Sequence, residues 1–434
     1  MNKNLRRDFT KYVSLNILGQ MAYSFYTVAD TFFVSADLGA DGLTALNLAF
    51  PIFCLISGLG LMLGVGGGAR YAVLKSRGDD AAANRTFTAA VYIAVILSSI
   101  FVFAGALLSR HIVRLLGADS SVFAITHTYL QVMMLFAPAF LMNHLLQGFI
   151  RNDGMPSLST AAMMIGSLSN VVLDYVFIFP MGMGILGAIF ATGLAPVISL
   201  GVLSPYLFQK KNHFHFAFSK EKREDVQGIL SGGVPPLVTE VTSGVVMFLF
   251  NFIILRLTGN IGVAAFSVVS VMSLVVVALY TGLSQGLQPL LSQSYGEGRF
   301  SDNKVFLRYG LVIMLAFSVI IYSSIAVFAP QLTQVFNSEG DAALQALAVE
   351  GLRLYFLACP FLGFNVTIAT YFVATQHPRP GQIISLSRGF LVLVPVAFLL
   401  SVCFKMTGVW CAYPVTEIIV ALLSLKFYLK QRRI

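Results

Sequence analysis

The chain has 434 residues, 57% of them hydrophobic and only 11% charged, with a mean hydropathy of +0.81. Soluble domains carry roughly 25% charged residues, so this composition excludes a string of soluble domains and implies a polytopic membrane protein. The formal charge of +9 fits the concentration of Lys and Arg on the cytoplasmic side of such proteins and does not point to nucleic acid.

A hydrocarbon core of ~30 Å is crossed by about 20 apolar helical residues. The apolar runs are continuous and show no alternation, which predicts helices rather than barrel strands. Twelve are expected, over 12–36, 45–73, 87–108, 124–150, 157–180, 184–208, 227–258, 262–290, 306–328, 345–375, 380–404 and 408–430. The basic start MNKNLRRDFTK leads into an apolar stretch with no small-residue cleavage site, so the first helix is read as retained. With the amino terminus inside, the opposite side holds four of the 28 Lys and Arg (Arg110, Arg114, Arg256, Lys405) and the helices three (Arg70, Arg353, Arg388). The remaining 21 of the 28 fall on the inner side, which places both termini in the cytoplasm. Cys54, Cys359, Cys403 and Cys411 lie in apolar runs without a CxxC pair and read as buried thiols.

The polar stretch 209–226 separates an N-lobe, 1–208, from a C-lobe, 227–434. The second half repeats landmarks of the first in the same order. Leu38-Gly39 with Gly42 and Ala45 recur around Leu257, Gly259, Gly262 and Ala265, and Gly78 recurs as Gly298. Pro138, Asn143 and Pro156 recur as Pro360, Asn365 and Pro378. Gly184, Ala188 and Thr192 recur as Gly408, Ala412 and Thr416. The spacing between mates drifts only slowly along the series. This predicts a duplicated six-helix bundle, both copies in the same orientation, with a site between the lobes as in transporters.

Four carboxylates fall inside expected helices: Asp30, Asp174, Glu240 and Glu417. Charge at that depth costs ~2.5–3.5 kcal/mol even on lenient scales, which makes each a functional candidate. Asp30 and Asp174 both lie about six residues, ~9 Å, below the outer ends of their helices. Asn170, four residues before Asp174, faces the same way, and Thr192 lies ~12 Å below the outer end of its helix. These oxygen ligands suit a hard cation, and two close carboxylates repel, which favours capture of a proton. The structural alternative is that Asn170, Asp174 and Thr192 only bond neighbouring helices. Glu240 follows Gly232-Gly233-Val234-Pro235-Pro236, which should bend its helix; it is read as facing substrate or carrying a proton, or else as pairing with Arg353 or Arg388. Glu417 can partner the same arginines. Tyr23 and Tyr26 share one face with Asp30, and with Asn143, Tyr355, Asn365 and Glu240 they can edge a cavity suited to organic cations. Packing is the competing role for any single aromatic.

Other features carry less. Gly64-Val65-Gly66-Gly67-Gly68 resembles a phosphate loop but follows no strand and reads as close helix packing. His213-Phe-His215 reads as solvated loop, and His144 as a hydrogen-bonded bundle residue. No nucleophile or metal set of an enzyme is present, no cofactor is implied, and no segment suggests an oligomerisation module, so a monomer is expected.

Asp30-Thr31-Phe32-Phe33-Val34, Leu38-Gly39 and Ala49-Phe50-Pro51-Ile52 resemble the first two helices of the multidrug and toxic compound extrusion (MATE) transporters. So do Gly148-Phe149-Ile150-Arg151-Asn152-Asp153-Gly154-Met155-Pro156, Asn170-Val-Val-Leu-Asp174, Gly184-Ile185-Leu186-Gly187-Ala188 with Thr192, and Gln288-Pro289-Leu290-Leu291. The resemblance covers essentially the whole chain. It implies an all-α membrane protein of twelve helices in two six-helix bundles around a central cavity. It further implies export of drugs and organic cations by alternating access against H+ or Na+ across a bacterial inner membrane. In the DinF-like branch, which the motif set resembles, the residues matching Asp30, Asn170, Asp174 and Thr192 form the cation site. A C-lobe sodium site in some relatives pairs a Glu matching Glu240 with an Asp on helix ten. Here 345–375 contains no Asp, and 13–20 contains no Pro to bend helix one. The runner-up is a flippase for a lipid-linked saccharide, which would need a strongly cationic cavity, and only Arg353 and Arg388 are deep basic residues.

Overall fold

The computed structural model describes residues 3–217, 222–337 and 340–432 and is helical along nearly all of them. Part of the expected 209–226 linker, 218–221 with Lys220, lies outside the described residues. Three continuous helices, Lys3–Leu61, Arg223–Gly296 and Leu393–Arg432, each fold back at one non-helical residue: Gly39, Gly259 and Lys405. Divided there, the described residues read as twelve rods, consistent with the twelve expected. In the N-lobe these are α1 (3–38), α2 (41–76), α3 (Asp80–Leu115), α4 (123–152), α5 (Pro156–Ile178) and α6 (Gly184–Leu203). In the C-lobe they are α7 (223–258), α8 (260–296), α9 (Phe300–Phe336), α10 (342–374), α11 (378–404) and α12 (406–432). Among the described residues, eight helical runs are long and apolar enough to cross a membrane, or nine if the bent pair in α4 is one span.

The duplication is written in the backbone. Gly39 (φ 59°, ψ −140°) and its repeat mate Gly259 (φ 66°, ψ −153°) break their hairpins in the same left-handed conformation, which glycine adopts without a Cβ clash. Gly154 and its mate Gln376 also share positive φ, at 92° and 58°. In α4 the helix bends by 47° between Leu135 and Ala137, and in α10 a 3-10 turn covers Phe356–Ala358. Pro138 and Pro360 stand just beyond these breaks, where a missing N–H and a ring clash with the preceding turn favour a kink. The π-helical turns are not duplicated: one is Met62–Gly67 in α2, the other Ser387–Leu391 in α11.

Each lobe has its own apolar core, but the lobes exchange helix ends. Phe9 and Val13 of α1 are buried in the C-lobe core, whereas Ile229 of α7, the repeat mate of Phe9, is buried in the N-lobe core. The boundary drawn at 209–226 therefore follows the chain and not the packing, because α1 and α7 cross between lobes at their linker-side ends. Glycines permit the crossing. A Cβ on Gly66 would collide with the Ile229 carbonyl oxygen, and one on its mate Gly286 would lie 2.7 Å from the Tyr12 carbonyl oxygen.

Polar contacts close the same seam. Asp225 of α7 pairs with Arg70 (3.0 Å) and Arg85 (3.3 Å) of the N-lobe. Asn152 and Gln288 exchange amide hydrogen bonds at 3.1 and 3.0 Å. Arg151, grouped in the sequence with the inner loops, is instead 3% exposed and donates to Asn16 (3.1 Å) and Gln285 (2.7 Å). These ion pairs and amide bonds join the lobes in the linker-side half, so the protein is closed there. At the linker's start His213 and His215 are exposed as expected, while Phe214 and the backbone beside it are docked. Phe214 packs on Phe87, Phe149 and Tyr71, and the His213 N–H donates to Asp153, which also accepts from Tyr71 and Tyr206.

Gly66→Ala should destabilise the closed seam by about 1–3 kcal/mol, the range for overpacking. Labels at positions 75 and 299 in a cysteine-free background should then report a longer linker-side distance by double electron–electron resonance. An unchanged distance distribution would show that α2 and α7 are not in backbone contact.

Candidate functional site

The four N-lobe residues expected from spacing converge. Asp174 and Asn170 are 0% exposed on α5, Asp30 is 7% exposed on α1 and Thr192 is 4% exposed on α6. The Asn170 amide is satisfied when its nitrogen donates to Asp174 Oδ2 at 3.0 Å and its oxygen accepts from the Thr192 backbone N–H at 3.2 Å. The Asp30 carboxyl lies within hydrogen-bond reach of Asp174 and of the Thr192 hydroxyl. One oxygen of each carboxylate, Oδ1 of Asp30 and Oδ1 of Asp174, is buried without a partner. Two such oxygens in a dry site are costly unless a proton or cation joins them. The donor set is all oxygen apart from one amide nitrogen, and it fits either guest.

Tyr129 of α4 is not singled out by the sequence, yet its hydroxyl meets Thr192 and its ring lies near both carboxylates. One tyrosine among sixteen, flanked by Thr126, Thr128 and Gln131 at the same depth, offers no pattern to pick it out. Tyr26 faces the same pair, and its ring meets Tyr23 edge-on at 5.0 Å. Tyr23 in turn bonds Ser57, which sits 3.1 Å from His144 Nε2. A line of hydroxyls thus leads from the carboxylates toward the centre of the molecule and ends on an imidazole, so His144 is a hydrogen-bonded bundle residue at the end of a polar chain.

Glu240 lies beside Tyr23 and Cys54, half-buried and against Gly58 of α2. It pairs with neither expected arginine. Arg353 is exposed and donates to the Ala326 carbonyl, and Arg388 is taken by Glu417, with Nε at 2.9 and 3.1 Å from the two carboxylate oxygens. Among the described residues Glu240 forms no ion pair, and it stands between the lobes, where α7 meets α2.

The remaining cavity candidates are dispersed. Asn143 accepts from Gln147 at 3.1 Å in the N-lobe. Asn365, 0% exposed, donates to Glu417 Oε2 at 2.7 Å and accepts from Ser424 at 2.8 Å, so its amide is engaged inside the C-lobe. Tyr355 stacks on Tyr413 at 4.7 Å and 6°, and Tyr413 reaches Arg388. Asn365, Tyr355, Glu417 and Arg388 therefore form one satisfied C-lobe network, separate from Tyr23, Tyr26 and Glu240.

The MatE family model matches residues 16–176 and 235–399. The multidrug export protein MepA of Staphylococcus saprophyticus is 24% identical over 413 residues, covering 94% of this chain and 90% of that protein. MepA of Staphylococcus aureus is 24% identical over 415 residues with the same coverage. A solved MOP-superfamily transporter from Pyrococcus furiosus superposes with a TM-score of 0.90 at 23% identity, covering 98% of this chain and 95% of that one. An outward-facing multidrug resistance MATE transporter gives a TM-score of 0.91 at 22% identity with the same coverage. At those identities the structures speak for the fold.

The two buried carboxylate systems should respond oppositely to neutralisation. Glu417→Gln strands the Arg388 guanidinium and should cost about 3–5 kcal/mol, the penalty for breaking a buried pair, seen as a lower Tm of the purified protein. Asp30→Asn relieves like-charge crowding and should leave Tm unchanged or raise it. A Tm loss of equal size in Asp30→Asn would show that this carboxylate is a structural partner.

Proposed function

The chain belongs to the MATE family, and on that footing we propose that it is a secondary active multidrug exporter that moves amphipathic organic cations outward in exchange for H+ or Na+. The carrying observation is the pair of unpartnered carboxylate oxygens on Asp30 and Asp174, held with Asn170 and Thr192 in one buried pocket. A proton or Na+ entering from the far side joins the two carboxylates and removes their repulsion, which is strong in a low-dielectric site. The occupied pocket lets α1, α5 and α6 draw together. Because α1 also anchors the C-lobe core through Phe9 and Val13, a shift of α1 in the N-lobe is felt at the seam. Exchange follows if ion and drug prefer different states of that seam.

Tyr23, Tyr26 and Glu240 form the drug-facing surface in this reading. Their aromatic faces and one unpaired carboxylate favour a bulky cation. Tyr355, Asn365 and Asn143 act behind that surface as supports. The lipid-linked saccharide alternative is less well supported, since Arg388 is neutralised by Glu417 and Arg353 faces outward. We place the protein in a cell inner membrane as a monomer without a cofactor, with both termini and the 209–226 linker in the cytoplasm.

In liposomes, efflux of a fluorescent organic cation should follow an imposed pH or Na+ gradient, and the productive gradient names the ion. Asp30→Asn and Asp174→Asn should each reduce gradient-driven efflux by about tenfold or more, the effect of losing ~1.4 kcal/mol of coupling. Glu240→Gln should weaken drug binding while leaving ion binding intact. Undiminished transport by both aspartate variants would move coupling away from this pocket.

A further inference from the structure

A cavity of about 1560 Å³ opens on the linker side of the C-lobe, away from the N-lobe carboxylates. Its walls are the linker-side ends of α7 to α12, and the basic residues Lys304, Arg379 and Lys430 line it. A second cavity of about 400 Å³ shares Lys304, Leu307 and Tyr428 with it, adds Arg308, and continues up α9 along Leu311, Val312 and Leu315. None of these four cations has an ion pair among the described residues. The nearby acids of the 297–302 turn are occupied, with Glu297 and Asp302 both paired to Arg299. Glu224 on the α7 wall is the acidic residue lining the cavity, and Arg70, which reaches the cavity from α2 of the N-lobe, is held by Asp225.

We propose that this cleft is a binding site for an anionic phospholipid of the linker-side leaflet, with the headgroup phosphate between Lys304, Arg308, Arg379 and Lys430 and an acyl chain along α9. The charge selects the ligand class, since basic pockets between membrane helices on the cytoplasmic side bind anionic headgroups. The same charge disfavours organic cations, so the cleft is not a second drug site. The shape selects a lipid over a soluble anion. From Lys304 to Leu315 is eleven residues, ~16 Å of helix rise, close to half of the ~30 Å hydrocarbon core. Val312 and Leu315 are 58% and 54% exposed, so the groove floor is an apolar surface lying open beside a cationic mouth. The lipid spans the gap between α9 and the end of α12 at Tyr428, and so braces the C-lobe behind the seam.

The test titrates delipidated protein in a neutral detergent with phosphatidylglycerol, phosphatidylcholine and glycerol 1-phosphate, with bound lipid read by native mass spectrometry. Because it reads binding alone, its outcome is independent of the transport reading. Wild type should hold phosphatidylglycerol well above phosphatidylcholine and should not retain glycerol 1-phosphate. The triple variant Lys304→Gln, Arg308→Gln, Lys430→Gln should weaken phosphatidylglycerol by about a hundredfold, roughly fivefold per charge. Val312→Trp, which fills the groove, should weaken it with the charges intact. Removing three cations elsewhere on the same side, Lys210→Gln, Lys211→Gln and Arg223→Gln, should have no such effect. Equal affinity for both lipids, equal loss in both triple variants, or retention of glycerol 1-phosphate as strong as that of the lipid would each overturn the proposal.

Discussion

A carboxylate removed from water must be joined by something positive or by a proton, and the two lobes meet that demand in opposite ways. In the C-lobe Glu417 receives Arg388 and Asn365 from its own fold, and the site is complete. In the N-lobe Asp30 and Asp174 are brought together with one amide and one hydroxyl, and on the proposed function their positive partner comes from outside. The repeat explains how this asymmetry arose on a shared backbone. Position 250, the mate of Asp30, is a phenylalanine in the C-lobe core, and position 193, the mate of Glu417, is a glycine pressed against Phe136. One copy carries a fixed ion pair, and the other keeps two like charges side by side.

Much of this was legible in residue order. The left-handed break at Gly39 and Gly259 was foreshadowed by similar neighbourhoods in the two halves, because a hairpin needing positive φ constrains residue type strongly. The N-lobe pocket was legible because Asn170 and Asp174 are spaced one helical turn apart and helix depth can be counted from the ends. Pairing between helices was not. Whether Arg388 meets Glu240 or Glu417 depends on how α11 rotates about its axis, and the π turn at Ser387–Leu391 resets that rotation at the arginine itself. Tyr129 and the burial of Phe214 were equally hidden, since apolar composition leaves too many aromatics to rank.

The seam was hidden for a different reason. Arg151 sits at the end of α4, where a charge count assigns it to a loop, yet it is covered when α8 brings Gln285 across. It makes hydrogen bonds there with two neutral amides, and its Nε has no partner. A buried guanidinium held only by amides is a contact that can be released without leaving a carboxylate stranded. In the ion pairs of Asp225 with Arg70 and Arg85 the guanidiniums are 20% and 16% exposed and the carboxylate only 2%, so opening must uncover Asp225 before water can replace its partners.

The exchange of Phe9 and Ile229 between the cores also bears on how the molecule is made. As the ribosome delivers the chain, α1 to α6 enter the membrane with a gap in their core where Ile229 belongs, while Phe9 and Val13 have no core to enter. The N-lobe is therefore finished only after α7 has been synthesised, and the first helix is the last of its lobe to find its full packing. Severed at the linker, neither half would hold the apolar contacts its own helices need, and the two halves would have to be produced together to fold.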